Sequence, residues 1–111
     1  MLDDAVGFAE PAQDTFLQTI ELLRDRSHVR DHSIKEWTQM LTEAGFVTKL
    51  AATWAIDLDF QDWVARMQTP ADNVLMLKKL FDLAPTESRQ ALAIRPDYSF
   101  SLTGALLNAT R

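Results

Sequence analysis

One polar stretch of the chain, residues 24–33, gathers the residue types that most often do chemistry. It contains both histidines, His28 and His32, which are four residues apart, as two zinc ligands on one helical face would be. No H-E-x-x-H pattern accompanies them, and the stretch has almost no helical stripe of apolar residues. We therefore favour a polar loop with two unrelated histidines and keep a metal site as the less favoured interpretation.

An anion could be bound by an arginine-rich loop or by a glycine-rich loop, and the sequence can be examined for both. The polar stretch carries three arginines, Arg24, Arg26 and Arg30, but its two aspartates partly offset their charge, which favours a solvated loop. A loop that holds a phosphate or a nucleotide cofactor needs closely spaced glycines. The chain has only three glycines, at positions 7, 45 and 104, and no two are close. A glycine-rich cofactor loop is therefore excluded from this chain.

Aromatic side chains suggest an apolar site. The chain has three tryptophans and six phenylalanines, and aromatic residues at helical or strand spacing usually belong to a core. Core is therefore the favoured interpretation, for Trp63 and Met67 as well. Trp63 and Met67 lie in a short helical stretch and could instead line a pocket for a flat or apolar ligand.

Length and composition limit the classes to which the protein can belong. The 111 residues suit one domain, residues 1–111, and the net charge of −5 argues against a nucleic-acid-binding surface. The absence of cysteine excludes disulfides, thiolate metal sites and cysteine nucleophiles. No apolar run approaches the roughly 20 residues of a membrane helix, and the acidic N-terminus lacks the basic start of a signal peptide. We expect a cytoplasmic protein that does not contact a membrane.

Alternating residue types predict a β-strand in the middle of the chain. Over residues 46–60 the large apolar side chains fall on even positions, as expected for a strand with one well-buried face. This run is longer than most strands, whose commonest length is about 5–6 residues. We therefore expect a bend or bulge near Thr53–Trp54, or an end before Asp57.

The chain has one other good candidate for a strand, residues 99–110, with an irregularity expected at Gly104. It is the natural antiparallel partner of the first strand, which we place at residues 46–56. Capping signals predict helices in most of the remaining sequence. The fold expected from the residues is therefore a small α+β domain with one antiparallel strand pair and four or five helices.

The helix signals are local. Ser33-Ile34-Lys35-Glu36 is a capping box, and Gly45 supplies the left-handed residue that ends many helices. Pro11 suits the first position of an earlier helix that ends near residue 25. Asp59 can cap the short helix that carries Trp63. Thr69-Pro70 should cap and begin a further helix, which runs to about residue 84.

A resemblance to a known family follows from these elements. The stretch SHVRDHSIKEWTQMLTEAGFVTK, residues 27–49, resembles part of the C-terminal region of class I S-adenosylmethionine-dependent methyltransferases, in the branch that methylates quinones and other small molecules. The segments LDFQDWVARMQTP and SFSLTGALLNATR look similar too, and the likeness covers nearly the whole chain from about Val6. It implies an α/β ancestry, in which residues 59–92 are a helical insertion between the sixth and seventh strands.

The resemblance implies that the half that holds the cofactor is missing. In that family a glycine-rich loop and an acidic residue at the end of the second strand hold S-adenosylmethionine, and neither is present here. We expect the chain to bind no cofactor alone, and either to be truncated or to need a partner. By resemblance, five residues without an assigned chemical role would face the methyl acceptor: His28, Arg30, Trp54, Trp63 and Met67.

The resemblance also predicts an open sheet edge. In the family the seventh strand lies between the fifth and sixth, so one edge of the strand at residues 99–110 should be unpaired. An unpaired apolar edge is a template for another chain, which predicts a homodimer or a partner chain on this edge. Two functions stay open. The chain is either the substrate-side part of a small-molecule methyltransferase, not catalytic alone, or a non-catalytic module derived from one that binds an apolar small molecule or dimerises.

Overall fold

Three strands form one antiparallel sheet in the computed structural model, which describes residues 1–111. They are β1 (Leu2–Asp3), β2 (Val47–Leu58) and β3 (Phe100–Thr110), and their order in the sheet is β1-β3-β2. β3 therefore lies in the middle and pairs with both neighbours. The pairing of β2 with β3 confirms the predicted strand pair, whereas β1 was not predicted.

Five helices accompany the sheet, so the α+β class and the expected number of helices are confirmed. They are α1 (Pro11–Arg24), α2 (Ile34–Glu43), α3 (Phe60–Arg66), α4 (Ala71–Asp82) and α5 (Thr86–Ala91). The last three lie in the predicted helical segment, residues 59–92. None of the five has the length and apolar character that a membrane-spanning helix requires.

Most of the predicted helix ends are present. The Glu36 N–H donates to the Ser33 hydroxyl at 3.1 Å, and the Ser33 N–H donates to the Glu36 carboxylate at 3.2 Å, which is the predicted capping box. Gly45 follows α2 with a φ of 94°, the left-handed conformation expected there. Asp59 caps α3 by accepting a backbone N–H at 2.9 Å. These ends were predictable because all their partners are close in sequence.

The start of α4 differs from the prediction. Pro70, not Thr69, occupies the N-cap position, and no side chain caps the helix. The Thr69 hydroxyl instead donates to the Arg24 carbonyl at 2.8 Å, at the end of α1. The hydroxyl therefore satisfies a helix C-terminus distant in sequence, which a local capping rule could not indicate.

The main core lies between β3 and four of the helices. Ten buried residues form it: Leu17, Ile20, Phe60, Trp63, Val64, Leu77, Phe81, Leu92, Phe100 and Leu102. On the other face of β3, Ala105 and Leu107 form a smaller cluster with Val6, against which Ile34 and Trp37 of α2 pack. β3 is thus covered on both faces and is the central element of the fold.

β2 does not have the well-buried face that its alternation predicted. None of its residues is buried: Trp54, Ile56 and Leu58 are half-buried, and Val47 is 71% exposed. Alternation identifies the more apolar face, but burial depends on what lies above that face. Leu58 is the β2 residue that packs against the main core, because the helical layer reaches only the end of this strand.

The irregularity in β2 lies earlier than predicted. The pairing register shifts between Leu50 and Ala52, which is the signature of a β-bulge. The strand then continues to Leu58. The predicted bulge is therefore present, although it lies at Ala51 and not near Thr53–Trp54, whereas the predicted end before Asp57 is wrong.

Gly104 is also regular, contrary to prediction. It pairs directly with Trp54 of β2, and the Trp54 indole lies across it. A Cβ atom built on residue 104 would lie only 2.5 Å from Trp54 Nε1. Glycine is required here to make room for a tryptophan on the neighbouring strand, and not to bend its own strand.

Gly104→Ala is therefore expected to displace the Trp54 indole and to lower the free energy of unfolding by about 1–3 kcal/mol, as overpacking does. Urea unfolding followed by circular dichroism measures the cost. The same substitution in a Trp54→Ala background is the control, and there the cost should largely disappear. An equal cost in both backgrounds would show that the contact with Trp54 is not its cause.

The N-terminal segment lies along the edge of β3 that was predicted to be open. Leu2 pairs with Leu106 and Asp3 with Ala105. Beyond β1, the Val6 N–H donates to the Thr103 carbonyl at 2.8 Å. The chain thus covers part of this edge itself, with a strand of only two residues. The homodimer or partner chain expected on this edge stays a prediction.

Candidate functional site

A cleft of about 390 Å³ opens on the face of the sheet that carries the main core. Its floor is apolar and is formed by Ile56 and Leu58 of β2, Leu102 of β3 and Trp63 of α3. The lining is completed by Ala5 and by four charged residues, Asp4, Glu21, Arg24 and Arg66. Ligand pockets commonly measure about 300–1,000 Å³. The volume of the cleft is therefore within the range of small-molecule pockets.

The position of the cleft favours a binding site. β1 and β2 are both antiparallel to β3, so they run parallel to each other. Ile56 and Leu58 lie at the carboxyl end of β2, and Asp4 and Ala5 follow the carboxyl end of β1. In open α/β sheets, ligands bind in the crevice outside the carboxyl ends of the parallel strands. The cleft occupies the equivalent place in this smaller sheet.

Arg24 joins the charged wall of the cleft to its floor. Its Nε–H donates to the Trp63 carbonyl at 2.9 Å, and its guanidinium carbon lies 5.0 Å from the centroid of the Trp63 ring. This geometry combines a hydrogen bond with a cation–π contact. Burial lowers the pKa of Arg24, but a guanidinium keeps its charge at neutral pH. Arg24 thus fixes α1 to α3 at the site and places a positive charge there.

Two carboxyl groups lie close together at the end of the cleft. Glu21 of α1 is only 8% exposed, and Asp31 in the following loop is half-buried. Burial, followed by the nearby charge of Asp31, raises the pKa of Glu21 to about 8. Burial raises the pKa of Asp31 as well. Glu21 is therefore mostly protonated at neutral pH, although the charge of Arg24 lowers its pKa.

Gln18 holds His28 and Asp31 beside Glu21. Its side-chain N–H donates to the Asp31 carbonyl at 2.8 Å, and its Oε1 accepts the Asp31 N–H at 3.0 Å. The same Oε1 lies 2.9 Å from His28 Nε2, which is 3.9 Å from Asp31 Oδ2. A helix residue thus anchors the polar loop, and this anchor brings three ionisable side chains together.

The structure separates the five residues that were predicted to face a substrate. Trp63 lines the cleft, and His28 lies beside the cleft residue Glu21. Trp54 lies on the same face of the sheet as the cleft floor, but across Gly104 and outside the lining. The roles of these residues toward a substrate stay predictions.

The other two predicted residues lie outside the cleft. Arg30 forms ion pairs with Asp14 at 2.8 Å and with Glu36 at 3.0 Å, so it connects the polar loop to α1 and α2. Met67 is 48% exposed and lines a separate polar groove near the start of α4. The ion pairs of Arg30 account for its position between α1 and α2. Met67 does not line the cleft.

Glu21 was not predicted as a site residue, although its position in the sequence indicated that it would be buried. Glu21 lies four residues after Leu17 and next to Ile20, so it falls on the buried stripe of α1. A carboxyl group in such a position must be protonated, paired or bound to a metal. Arg66 carried no signal, because nothing in its local sequence distinguishes it from other surface arginines.

Comparisons with solved structures identify the class of protein. The crystal structure of the YcgJ protein from Bacillus subtilis matches with a TM-score of 0.91 and 26% identity, over 97% of this chain and 48% of that chain. A candidate methyltransferase from Bacillus halodurans C-125 matches with a TM-score of 0.88 and 28% identity, over 97% and 52%. The chain therefore has the fold of about half of a methyltransferase-like protein.

Comparisons of sequences also find a relative that is described as a methyltransferase. The uncharacterized protein YafE of Escherichia coli (strain K12) is 37% identical over 98 residues, which are 88% of this chain and 47% of YafE. The uncharacterized methyltransferase YcgJ of Bacillus subtilis (strain 168) is 29% identical over 94 residues, which are 85% of this chain and 37% of that protein. No model of a protein family matches.

The chain thus spans about half the length, or less, of these relatives. The resemblance to the C-terminal portion of a methyltransferase is confirmed, and the sheet order agrees with it. In the family order, the seventh strand lies between the fifth and the sixth. Here β3 lies between β1 and β2.

Proposed function

We propose that this chain is the substrate-side portion of an S-adenosylmethionine-dependent methyltransferase for a small molecule, and that it does not transfer methyl groups alone. The observation that carries the proposal is the match of 97% of the chain to about half of the YcgJ structure. A protein of that name from Bacillus subtilis is described as a methyltransferase. The cleft at the carboxyl ends of β1 and β2 supports the assignment of an acceptor site to this portion.

The residues of this chain do not fit the cofactor. Each of its three glycines already has a structural task. Gly7 allows a close approach to the Asp31 carbonyl, Gly45 is the left-handed residue after α2, and Gly104 lies beneath Trp54. None remains for a loop around a nucleotide. We therefore assign cofactor binding to sequence outside this chain, in a longer protein or in a partner.

The lining of the cleft indicates the kind of methyl acceptor. Ile56, Leu58 and Leu102 offer an apolar floor on which a ring or an alkyl body can lie. Glu21 and Arg24 offer polar groups at the rim. An apolar molecule with one hydroxyl or acidic substituent would satisfy both parts of the lining, since its body displaces water from the floor while its polar group keeps hydrogen bonds.

The outer edge of β1 is where the cofactor-binding half would attach. β1 corresponds to the end of the fifth strand of the family sheet, so the fourth strand would lie beside it. Leu2, which is 62% exposed, belongs to this open region. We therefore propose the cofactor-binding half as the main partner of the chain, with the homodimer as the alternative occupant of this edge.

Titration calorimetry with S-adenosylmethionine and S-adenosylhomocysteine tests the proposal. We expect no binding by the chain alone. We expect micromolar binding by a chimera in which this chain replaces the 94-residue segment of Bacillus subtilis YcgJ that it matches. Such a chimera would combine this acceptor side with an intact cofactor half.

Unmodified YcgJ is the positive control for cofactor binding, and circular dichroism verifies that the chimera is folded. A folded chimera that does not bind, beside a YcgJ that does, would contradict the assignment of this chain as an acceptor half. Micromolar binding by the chain alone would contradict the assignment of the cofactor site to other sequence.

A further inference from the structure

Three potential metal ligands converge at the junction between α1 and the polar loop. They are a carboxylate oxygen of Glu21, an imidazole nitrogen of His28 and a carboxylate oxygen of Asp31, and these atoms all lie within 4.8 Å of one another. We propose that Glu21, His28 and Asp31 bind a divalent transition-metal ion. The proposal does not depend on methyl transfer.

Unsatisfied oxygens at this junction point to a cation. Glu21 is 92% removed from solvent, and its Oε1 atom is buried without a hydrogen-bond partner. Asp31 Oδ2 is likewise buried without one. Buried polar atoms are nearly always paired, with protein groups, water or ions. In the metal-free chain a proton shared between Glu21 and Asp31 can pair these two oxygens. A metal ion held by the same oxygens and the His28 imidazole would displace that proton, as metal binding to protonated ligands does.

The arginines of the polar stretch do not pair with these carboxylates. Arg30 is occupied by Asp14 and Glu36 at the surface. Arg24 lies over the Trp63 ring and donates its Nε–H to the Trp63 carbonyl. Arg26 forms no ion pair, so none of the three arginines pairs with Glu21 or Asp31. A small ion between the three side chains would neutralise them where a guanidinium does not.

The ligand types indicate which metals fit. One imidazole with two carboxylates suits Zn²⁺ or Mn²⁺, whereas Mg²⁺ prefers oxygen ligands and keeps several waters. Gln18 already orients two of the ligands, because it contacts both His28 and the backbone of Asp31. Coordination through His28 Nε2 would replace its contact with Gln18 Oε1 and leave the two Gln18–Asp31 hydrogen bonds in place.

The experiment uses the chain after treatment with a chelator and dialysis. Titration calorimetry with ZnCl₂, MnCl₂ and MgCl₂, each alone at pH 7.5, should show one Zn²⁺ or Mn²⁺ per chain with micromolar affinity and much weaker Mg²⁺ binding. Glu21→Gln, Asp31→Asn and His28→Gln should each weaken binding of the preferred metal by at least about tenfold, since mutation of even an outer-shell partner of a ligand typically costs about 10–100-fold. Visible absorption of the Co²⁺-loaded chain gives a second, spectroscopic measurement of the site.

His32→Gln is the matched control, because it removes the other histidine and leaves the three proposed ligands intact. Its metal affinity should equal that of the unmodified chain. The proposal is overturned if the unmodified chain binds neither Zn²⁺ nor Mn²⁺. It is equally overturned if binding persists in folded Glu21→Gln and Asp31→Asn variants, or if His32→Gln abolishes it.

Discussion

Replacing Phe81 with alanine is expected to lower the free energy of unfolding by about 3–5 kcal/mol, in the range found for large core aromatic residues. Phe81 is fully buried on α4, and its ring contacts aromatic neighbours from several elements. It meets Phe60 with ring centroids 5.6 Å apart and Phe100 of β3 with centroids 5.3 Å apart, both edge to face. Its loss would leave a cavity where the helices meet the central strand.

Urea unfolding, followed by circular dichroism, measures this effect. The predicted loss is a large part of the roughly 5–15 kcal/mol that stabilises an ordinary domain. Phe81→Leu is therefore a useful second variant, since it fills part of the cavity and should cost about 1–2 kcal/mol.

Leu75→Ala is the control for Phe81→Ala, because Leu75 lies on the same helix but is 60% exposed. Its cost should stay within about 0.5 kcal/mol. Equal costs for Leu75→Ala and Phe81→Ala would mean that burial in the aromatic cluster does not account for the contribution of Phe81.

Glu21→Gln is expected to stabilise the metal-free chain at pH 8 by about 1–3 kcal/mol, because it removes a buried charge. The pKa of Glu21 is raised from an ordinary 4.5 to about 8 by burial and by Asp31 and Asp25, while Arg24 lowers it. A carboxyl group with a raised pKa in the folded state stabilises fully below pH 4.5. That contribution is lost as the pH rises from 4.5 through about 8.

Stability measured from pH 5 to 8, in the presence of a chelator, tests this expectation. The unmodified chain should lose stability across this range relative to Glu21→Gln, and the two should be nearly equal at pH 5. Glu43→Gln is the control, since Glu43 is exposed and should change stability by less than about 0.5 kcal/mol at any pH. A constant difference between Glu21→Gln and the unmodified chain from pH 5 to 8 would contradict the assignment.

The parts of the fold that could be predicted from sequence are those set by local contacts. The capping box of Ser33 and Glu36 and the left-handed Gly45 depend only on near neighbours, and both are present. The burial of β2 could not be predicted in this way, because alternation describes two faces without describing what covers them. β1 could not be predicted because two residues carry no periodicity, and its pairing depends on a strand at the other end of the sequence.

In the candidate site too, contacts between residues distant in sequence could not be predicted. Core was the favoured interpretation for Trp63, and its side chain lies in the main core while also bordering the cleft. The anchoring of the polar loop by Gln18 could not be predicted, because it joins residues 10 and 13 positions apart through a side-chain amide. The grouping of Glu21, His28 and Asp31 follows from that anchor and was missed with it.

The central place of β3 also limits the order in which the molecule can fold. β1 and β2 make no pairs with each other, and both pair only with β3, near the end of the sequence. The helices can begin to form from local signals, but no strand has a partner until residues 100–110 are available. Both strand pairs join residues distant in sequence, and contacts of this kind slow folding relative to a helical chain of this size. Until β3 pairs, its core residues Phe100 and Leu102 lack their buried positions, and exposed apolar side chains favour aggregation.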